Sequence, residues 1–155
     1  MTRYAEGTNV RIEKSRGEIE RILQRYGASA FSYGWKINHA VIMFEAGGRR
    51  IRFDLPLPDP SDRRFTHTHA RDIARSQVQS QEAWEQACRQ RWRALALAIK
   101  AKLEAVECGI TDFESEFLAH IVLPSGETVG RWMLPQVRLA YDGGSMPPLL
   151  LSSQN

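Results

Sequence analysis

Cysteine is scarce in this sequence, with only Cys88 and Cys108 in 155 residues. If one helix connects them, they lie about 30 Å apart, whereas a disulfide needs Cα atoms within about 7 Å. The two thiols therefore do not pair within one chain, which indicates a reducing compartment. Long apolar runs are missing too, and residues 1–18 lack the apolar segment of a secretory signal. These absences predict a cytoplasmic protein without a membrane partner.

The motifs of common catalytic sites are also missing. There is no G-x-S-x-G nucleophile turn and no glycine-rich phosphate-binding loop. His67 and His69 are close together, but the second pair of ligands that structural zinc requires is absent. Four aspartates at positions 54, 59, 62 and 72 have no recognisable nuclease spacing. We therefore predict a protein that is not an enzyme, with no catalytic residues, no metal and no cofactor.

The composition, 43% hydrophobic and 25% charged, is typical of a globular protein, and we expect one domain over residues 1–155. Apolar residues at three- and four-residue steps predict a helix from Ser15 to Tyr26, ended by Gly27. The pairs Asn38-His39 and Gly47-Gly48 are suited to two-residue hairpin turns. Between and around them, alternating residues predict a three-stranded antiparallel meander.

Pairing about those two turns separates the meander into two faces. Trp35 then lies opposite Ile42, and Tyr33 lies opposite Phe44. We expect this aromatic face to be core, covered by a helix, rather than a surface on which bases stack. The predicted core face comprises Tyr33, Trp35, Ile37, Ala40, Ile42, Phe44, Ile51, Phe53 and Leu55. The opposite face comprises Ser32, Gly34, Lys36, Val41, Met43, Glu45, Arg50, Arg52 and Asp54.

After the meander, three prolines and many polar residues predict a long basic flexible loop over residues 56–81. An apolar stripe that includes Trp92 and Ile99 predicts a long helix from Glu82 to Cys108, capped by Ser80. Thr111 and Glu114 have capping-box spacing for a helix over residues 112–123, and a further helix is expected over residues 128–141. Residues 143–155 form a C-terminal tail. The fold class is thus α+β, an α-β-β-β-α unit with additional C-terminal helices.

Charge is unevenly distributed although the net charge is only +3. Residues 49–75 hold seven Lys/Arg and four Asp/Glu, and residues 86–103 hold five Lys/Arg and no acid. Residues 104–127 hold six acids and no Lys/Arg. Clustered cations of this kind bind phosphates without reading sequence, and an aromatic ring among them can stack on a base. The predicted nucleic-acid-binding residues are Lys36, Arg50, Arg52, Arg63, Arg64, Phe65, Arg89, Arg93 and Lys100.

Several phrases of the sequence resemble small proteins of unassigned role from bacteriophages, prophages and mobile elements. They are RYAEGT at 3–8, YGW at 33–35, RRIRFDLPLP at 49–58, RWRALALAIKAKLEAVECGI at 91–110 and EFLAHIVLPSGETVG at 116–130. The resemblance implies no particular activity or site. At the level of topology, a β-β-β-α unit with basic residues is similar to the core of Rad52-like single-strand annealing proteins. Such a likeness of fold does not determine function.

Together these patterns favour a phage or mobile-element protein that binds single-stranded DNA, as a homo-oligomer, and assists annealing or DNA recombination. In this hypothesis the sheet cations and the cations of the long helix form two walls of a cleft, which the loop closes. The alternative is a protein-interaction module, such as a host-defence inhibitor or a replication accessory protein with a host or phage protein partner. Its acidic region at 104–127 or its apolar tail would then contact the partner.

Overall fold

A three-stranded antiparallel meander, in the order β1-β2-β3, lies at the centre of the fold. The computed structural model describes the backbone of residues 2–36 and 38–146, and the side chains of these residues from Ile12 onward. The elements are α1 (Thr2–Arg25), β1 (Ala30–Lys36), β2 (His39–Ala46), β3 (Arg49–Pro56), α2 (Arg63–Thr66), α3 (Gln77–Glu107), α4 (Phe113–Phe117), a 3-10 turn (Leu118–His120) and α5 (Val129–Gly143). The predicted α+β class is confirmed. Within the described part of the chain, no helix has the length and apolar character to cross a membrane.

The register of the second hairpin is the predicted one. Ile42 pairs with Phe53, and Glu45 pairs with Arg50 across the turn at Gly47 and Gly48, both of which have positive φ. Glycine suits this turn because it adopts positive φ without steric cost.

The predicted register of the first hairpin is wrong by two residues. Trp35 pairs with Ala40 and Tyr33 with Ile42, so His39, a predicted turn residue, pairs with Lys36 instead. His39 is thereby free to join β2, where its Nε2 lies 3.7 Å from a carboxylate oxygen of Asp54. A shift of two leaves every side chain on its predicted face, because side chains alternate with period two. The predicted pairing of Ile37 concerns a residue outside the described part of the chain.

The core lies between one face of the sheet and the helices α1 and α3. Side chains of β2 and β3 pack there against Ile19 and Leu23 of α1 and against Trp92 and Ile99 of α3. Phe117 of α4 closes this core, since its ring meets the rings of Phe44 and Phe53 edge-on at 5.9 and 6.2 Å. The predicted role of the long helix as the cover of the aromatic face is therefore confirmed.

The strand β1, in contrast, is largely uncovered. Trp35 is 72% exposed and Tyr33 is 47% exposed, so the prediction that both are core residues is wrong. Both rings are on the core face of the sheet, but the buried core takes its strand residues from β2 and β3. Phe31 is the residue of β1 that packs against the core, and only partly. The helices and Phe117 pack over β2 and β3, so the Tyr33 and Trp35 side chains of β1 lie beyond this cover.

The segment between β3 and the long helix is shorter than predicted. α3 begins at Gln77, and its cap is Ser76 in a capping box with Gln79, instead of Ser80. Ahead of it, α2 buries Phe65, and a β-bridge joins His67 to Ala74. The indole Nε1 of Trp84 donates a 2.6 Å hydrogen bond to the carbonyl oxygen of Pro58. Residues 57–76 are therefore attached to the body at several points.

The predicted helix over residues 112–123 is wrong after Phe117. The chain passes through the 3-10 turn and then extends, because Ile121 forms a bridge with Ile51 of β3. The amide of Val122 donates a 2.8 Å hydrogen bond to the carbonyl of Arg50. Residues 121–122 thus cover the outer edge of β3. The predicted helix near 128–141 is present as α5 and continues through Pro135; of the predicted tail, residues 147–155 lie outside the described part.

Candidate interaction surfaces

The predicted basic face of the sheet is largely occupied by its own acids and carbonyls. Arg50 makes a 3.0 Å ion pair with Glu45 across the hairpin. Arg52 is half-buried, and its Nη1 donates a 2.9 Å hydrogen bond to the carbonyl of Gly126. Its Nε also lies 3.5 Å from Asp54. Lys36, at the end of β1, is exposed. Two of the three predicted cations of this face therefore have partners within the protein.

The arginines of residues 57–76 hold that segment together. Arg63 makes a two-point contact with Asp72 in which Nη2 lies 2.6 Å from a carboxylate oxygen. This contact lowers the pKa of the Asp72 carboxyl, mainly through the hydrogen bond. Arg64 lies 3.4 Å from Asp62 and above the ring of Phe65. Phe65 is only 5% exposed, and this burial does not favour the predicted stacking of its ring on a base.

The cations of α3 do not face those of the sheet. α3 covers the aromatic face of the sheet, whereas Arg50 and Arg52 are on the opposite face. The exposed Arg93 and Lys100 and the half-buried Arg89 are carried by this helical layer. The structure therefore does not bring the nine predicted residues together as two walls of one cleft.

A cleft of about 730 Å³ lies between the turn at Gly47–Gly48 and the turn at Pro124–Gly126. Arg49 and Arg50 line it, but Arg49 lies 2.7 Å from Glu114 and Arg50 is paired with Glu45. The cleft thus presents paired charges rather than a set of free cations. Among the residues described, no group of three His, Cys, Asp or Glu side chains is arranged to hold a metal ion.

The two thiols differ in their surroundings. Cys88 is buried in the α3 stripe, and burial, assisted by the nearby Glu85, raises the pKa of its thiol to about 11. A thiol with so high a pKa is a poor nucleophile at neutral pH. Cys108 is exposed at the C-terminal end of α3.

α5 has an apolar surface that the rest of the described chain does not cover. The helix is capped at its N-terminus by Thr128, whose hydroxyl accepts a hydrogen bond from the amide of Arg131, and at its C-terminus by Gly144 with φ of 64°. It touches the 3-10 turn at Gly130, where a Cβ would come within 2.9 Å of the carbonyl oxygen of Ala119. None of its residues is buried.

The exposed apolar residues of α5 form an ordered row. Leu134, Val137 and Tyr141 are 52%, 42% and 86% exposed, and their spacing of three and seven residues places them within about 60° around the helix. We call these three residues the α5 ridge. Trp132 and Leu139, 39% and 57% exposed, are also apolar and lie on another side of the helix. A small protein seldom leaves so many large apolar side chains in water without a use for them.

The sequence predicted α5 but not its exposure. Its apolar residues extend over much of the helix circumference, which is typical of a helix buried on more than one side. That breadth is the signal that could have indicated a second contact surface, since the described part of the chain covers only one side of α5. For β1, no local pattern shows which of three strands lacks a covering helix.

Comparisons of this chain with known proteins found no match. No protein-family model matches it, and neither a curated protein nor a solved structure does. The resemblance to phage and mobile-element proteins and the likeness to annealing proteins therefore stay predictions.

Proposed function

We propose that this protein is a protein-interaction module that binds a partner protein through helix α5. The observation that carries the proposal is the α5 ridge, an apolar row on a helix that has no buried residue. Anchors at positions i, i+3 and i+7 are the pattern by which an amphipathic helix enters a hydrophobic groove. A single ridge of this kind on a folded body favours a partner with one groove about two helical turns long.

The ridge supplies a large part of the free energy that specific binding needs, and the contacts around it supply the rest. Complete burial of a large apolar side chain is worth about 1.5–3 kcal/mol, and the three ridge residues retain between 42% and 86% of their exposure. The helix is already folded and capped at both ends, so its ordering adds little to the cost of association. Tyrosine is also enriched among residues that dominate binding energy, which favours Tyr141 as the main anchor.

The charge beside the ridge indicates the chemistry of the groove. Arg131 and Arg138 are exposed and lie on one stripe of α5 that borders the ridge, together with Asp142. Arg131 also lies 3.9 Å from a carboxylate oxygen of Asp54 in β3, so the positive charge of this border rests mainly on Arg138. A partner groove with an apolar floor and an acidic rim would complement it, and the rim charges would increase the rate of association at low salt.

This proposal is favoured over single-stranded DNA binding by the state of the arginines. Arg50, Arg52, Arg63 and Arg64 contact acids or carbonyls of the protein itself, so phosphates would have to displace those partners. DNA binding, annealing and recombination remain a hypothesis, now resting on exposed cations such as Lys36, Arg93 and Lys100. The resemblance to mobile-element proteins suggests a host or phage protein as the partner, and the exposed thiol of Cys108 favours the reducing cytoplasm as the place of binding.

The test is capture from a nuclease-treated cell lysate, followed by direct binding of the captured protein. The ridge variant, Leu134→Glu with Tyr141→Glu, replaces two of the three ridge residues. Leu97→Glu, at a leucine of α3 that is 56% exposed, is the matched control. We expect the captured protein to bind the wild type and the control with similar affinity and the ridge variant at least about 10-fold more weakly. A synthetic peptide of residues 128–146 should compete, and added salt should slow association.

Two results would contradict the proposal. One is a captured protein that binds the ridge variant as well as it binds the wild type while circular dichroism shows all three proteins folded. The other is capture that nuclease abolishes, together with a shift of a labelled 40-nucleotide single strand at low salt; this outcome would support the DNA hypothesis instead.

A further inference from the structure

The rest of the described chain covers the β3 edge of the sheet but not the β1 edge. The outer edge of β3 is covered by residues 121–122, and Arg49, Arg50, Arg52 and the terminal Pro56 add further protection. The outer edge of β1 has no such cover: among the described residues, the only backbone hydrogen-bond partner of this strand is β2. A strand of seven residues therefore leaves part of its N–H and C=O groups directed at solvent.

β1 also lacks the features by which proteins protect an open edge. It contains no proline, and its single charge, Lys36, is at its end. Every one of its residues except Phe31 is exposed. Trp35 and Tyr33 are side by side on one face, with 72% and 47% of their surfaces exposed. Exposed aromatic rings next to free backbone groups are the two parts of a site for strand addition.

We propose that β1 is a self-association edge, at which β1 of a second copy adds antiparallel to form a continuous six-stranded sheet. One register overlaps all seven residues, and in it Tyr33 lies on the two-fold axis opposite the partner's Tyr33. Phe31 then lies opposite the partner's Trp35, and Ser32 lies opposite the partner's Gly34. The three rings of each copy thus form one row of aromatic cross-strand pairs on a single face.

A second copy fits this edge better than an unrelated peptide for reasons of charge and side-chain size. Lys36 comes opposite the partner's Ala30, so the one charge of the strand does not meet its equivalent. Gly34, which has nothing within 4 Å of an added Cβ, leaves space beside Ser32 on the face away from the rings. Because the axis is perpendicular to the sheet, the helices of both copies remain on the same side. Arg16, 4.0 Å above the Tyr33 ring, brings one positive charge per copy close to the axis, and Glu13, 3.9 Å from Arg16, offsets it.

The area is that of a modest dimer. An aromatic residue presents roughly 150–250 Å², so the exposed fractions of Trp35 and Tyr33 amount to about 200–300 Å² per copy. Two copies supply about half of the roughly 1,000 Å² that a specific interface needs, and the backbone edge and the other β1 side chains contribute the rest. We therefore expect a dimer whose dissociation constant is in the micromolar range.

The register is tested by cysteine cross-linking of the full chain in a Cys108→Ser background. Tyr33→Cys places two thiols directly opposite each other on the axis, where Cα atoms are about 4.5–5.5 Å apart and a disulfide forms. Ser32→Cys is the matched control, since its equivalent atoms are diagonal, at about 7–8 Å. Mild oxidation should give a dimer band with Tyr33→Cys and at least about 10-fold less with Ser32→Cys.

Sedimentation of the unmodified chain gives the second measurement. The mass should rise from 17.7 kDa towards twice that value as the concentration increases from about 1 to about 200 µM. Trp35→Lys should move this transition at least about 10-fold higher in concentration, whereas Leu97→Lys should not move it. Neither measurement involves the α5 ridge, so this inference and the proposed function can fail separately.

The proposal is overturned if the wild type stays monomeric over the whole range. It is also overturned if both cysteine variants cross-link equally, which would indicate random collision. A monomer that binds a labelled 40-nucleotide strand, with binding lost in Trp35→Lys, would assign the exposed rings to base stacking instead.

Discussion

Replacing Phe117 by alanine should destabilise the protein more than any exposed substitution. Its side chain is fully buried, its ring meets Phe44 and Phe53 edge-on, and it stacks on Phe113 at 4.8 Å between centroids. Buried Phe→Ala substitutions cost about 3–5 kcal/mol, and each aromatic pair adds about 0.5–1.5 kcal/mol. Since part of the pair energy is already counted in the first range, we expect a loss of about 4–5 kcal/mol in the free energy of unfolding.

Urea unfolding followed by circular dichroism measures this loss, and thermal unfolding should show a decrease of about 10–15 °C in Tm. Leu118→Ala is the control, because this neighbouring side chain is 53% exposed and its loss should cost less than about 1 kcal/mol. If Phe117→Ala does not fold, Phe117→Leu, at about 1–2 kcal/mol, keeps the comparison measurable. A cost below about 2 kcal/mol for alanine would refute the idea that this ring closes the core.

Three further predictions follow from the surroundings of single side chains. Ellman's reagent at pH 8 should modify Cys108 rapidly and Cys88 only in denaturant, since burial raises the pKa of Cys88 to about 11; rapid reaction of both thiols would contradict this. Burial, with Lys102 nearby, lowers the pKa of His120 below 6.5, so the unfolded chain binds a proton more readily. The contribution of His120 to stability should therefore be fully present above pH 6.5 and should be lost as the pH falls towards the folded-state pKa. His120→Gln should weaken the pH dependence of the urea concentration at the unfolding midpoint between pH 7 and 5. An unchanged pH dependence would argue against this residue. Arg52→Ala should cost about 1–3 kcal/mol, because it removes the hydrogen bond to Gly126, whereas Arg50→Ala should stay within about 1 kcal/mol; equal costs would contradict the stabilising role of that hydrogen bond.

The sheet shows how much of strand register and facing can be predicted from alternating apolar and polar residues. The glycines at 47–48 specify their turn through backbone conformation, and the predicted β2–β3 register is correct. Asn38 and His39 impose no such requirement, so the first turn moved and carried the β1 register with it by two residues. The faces were still correct, because only a shift by one reverses them.

Exposure was the property that the sequence predicted least well. Trp35 and Phe53 alternate in the same way along their strands, yet one is 72% exposed and the other 6%. The difference depends on which strands the helices cover, which is decided by contacts between residues far apart in the chain. The same holds for the candidate site. Arg52 is predicted to be a surface cation, whereas the fold brings the carbonyl of Gly126 within hydrogen-bonding distance of its guanidinium.

Residues 121–122 cover the outer edge of β3, and this cover limits how further strands can extend the sheet. A sheet with two open edges accepts new strands at both, and copies of one chain can then stack without end into a fibre. Here one edge is closed by the chain itself through the Ile51–Ile121 bridge and the Val122 amide. When β1 of a second copy joins β1, both open edges are used and both β3 edges are already covered, so growth ends in a closed pair and not in a filament.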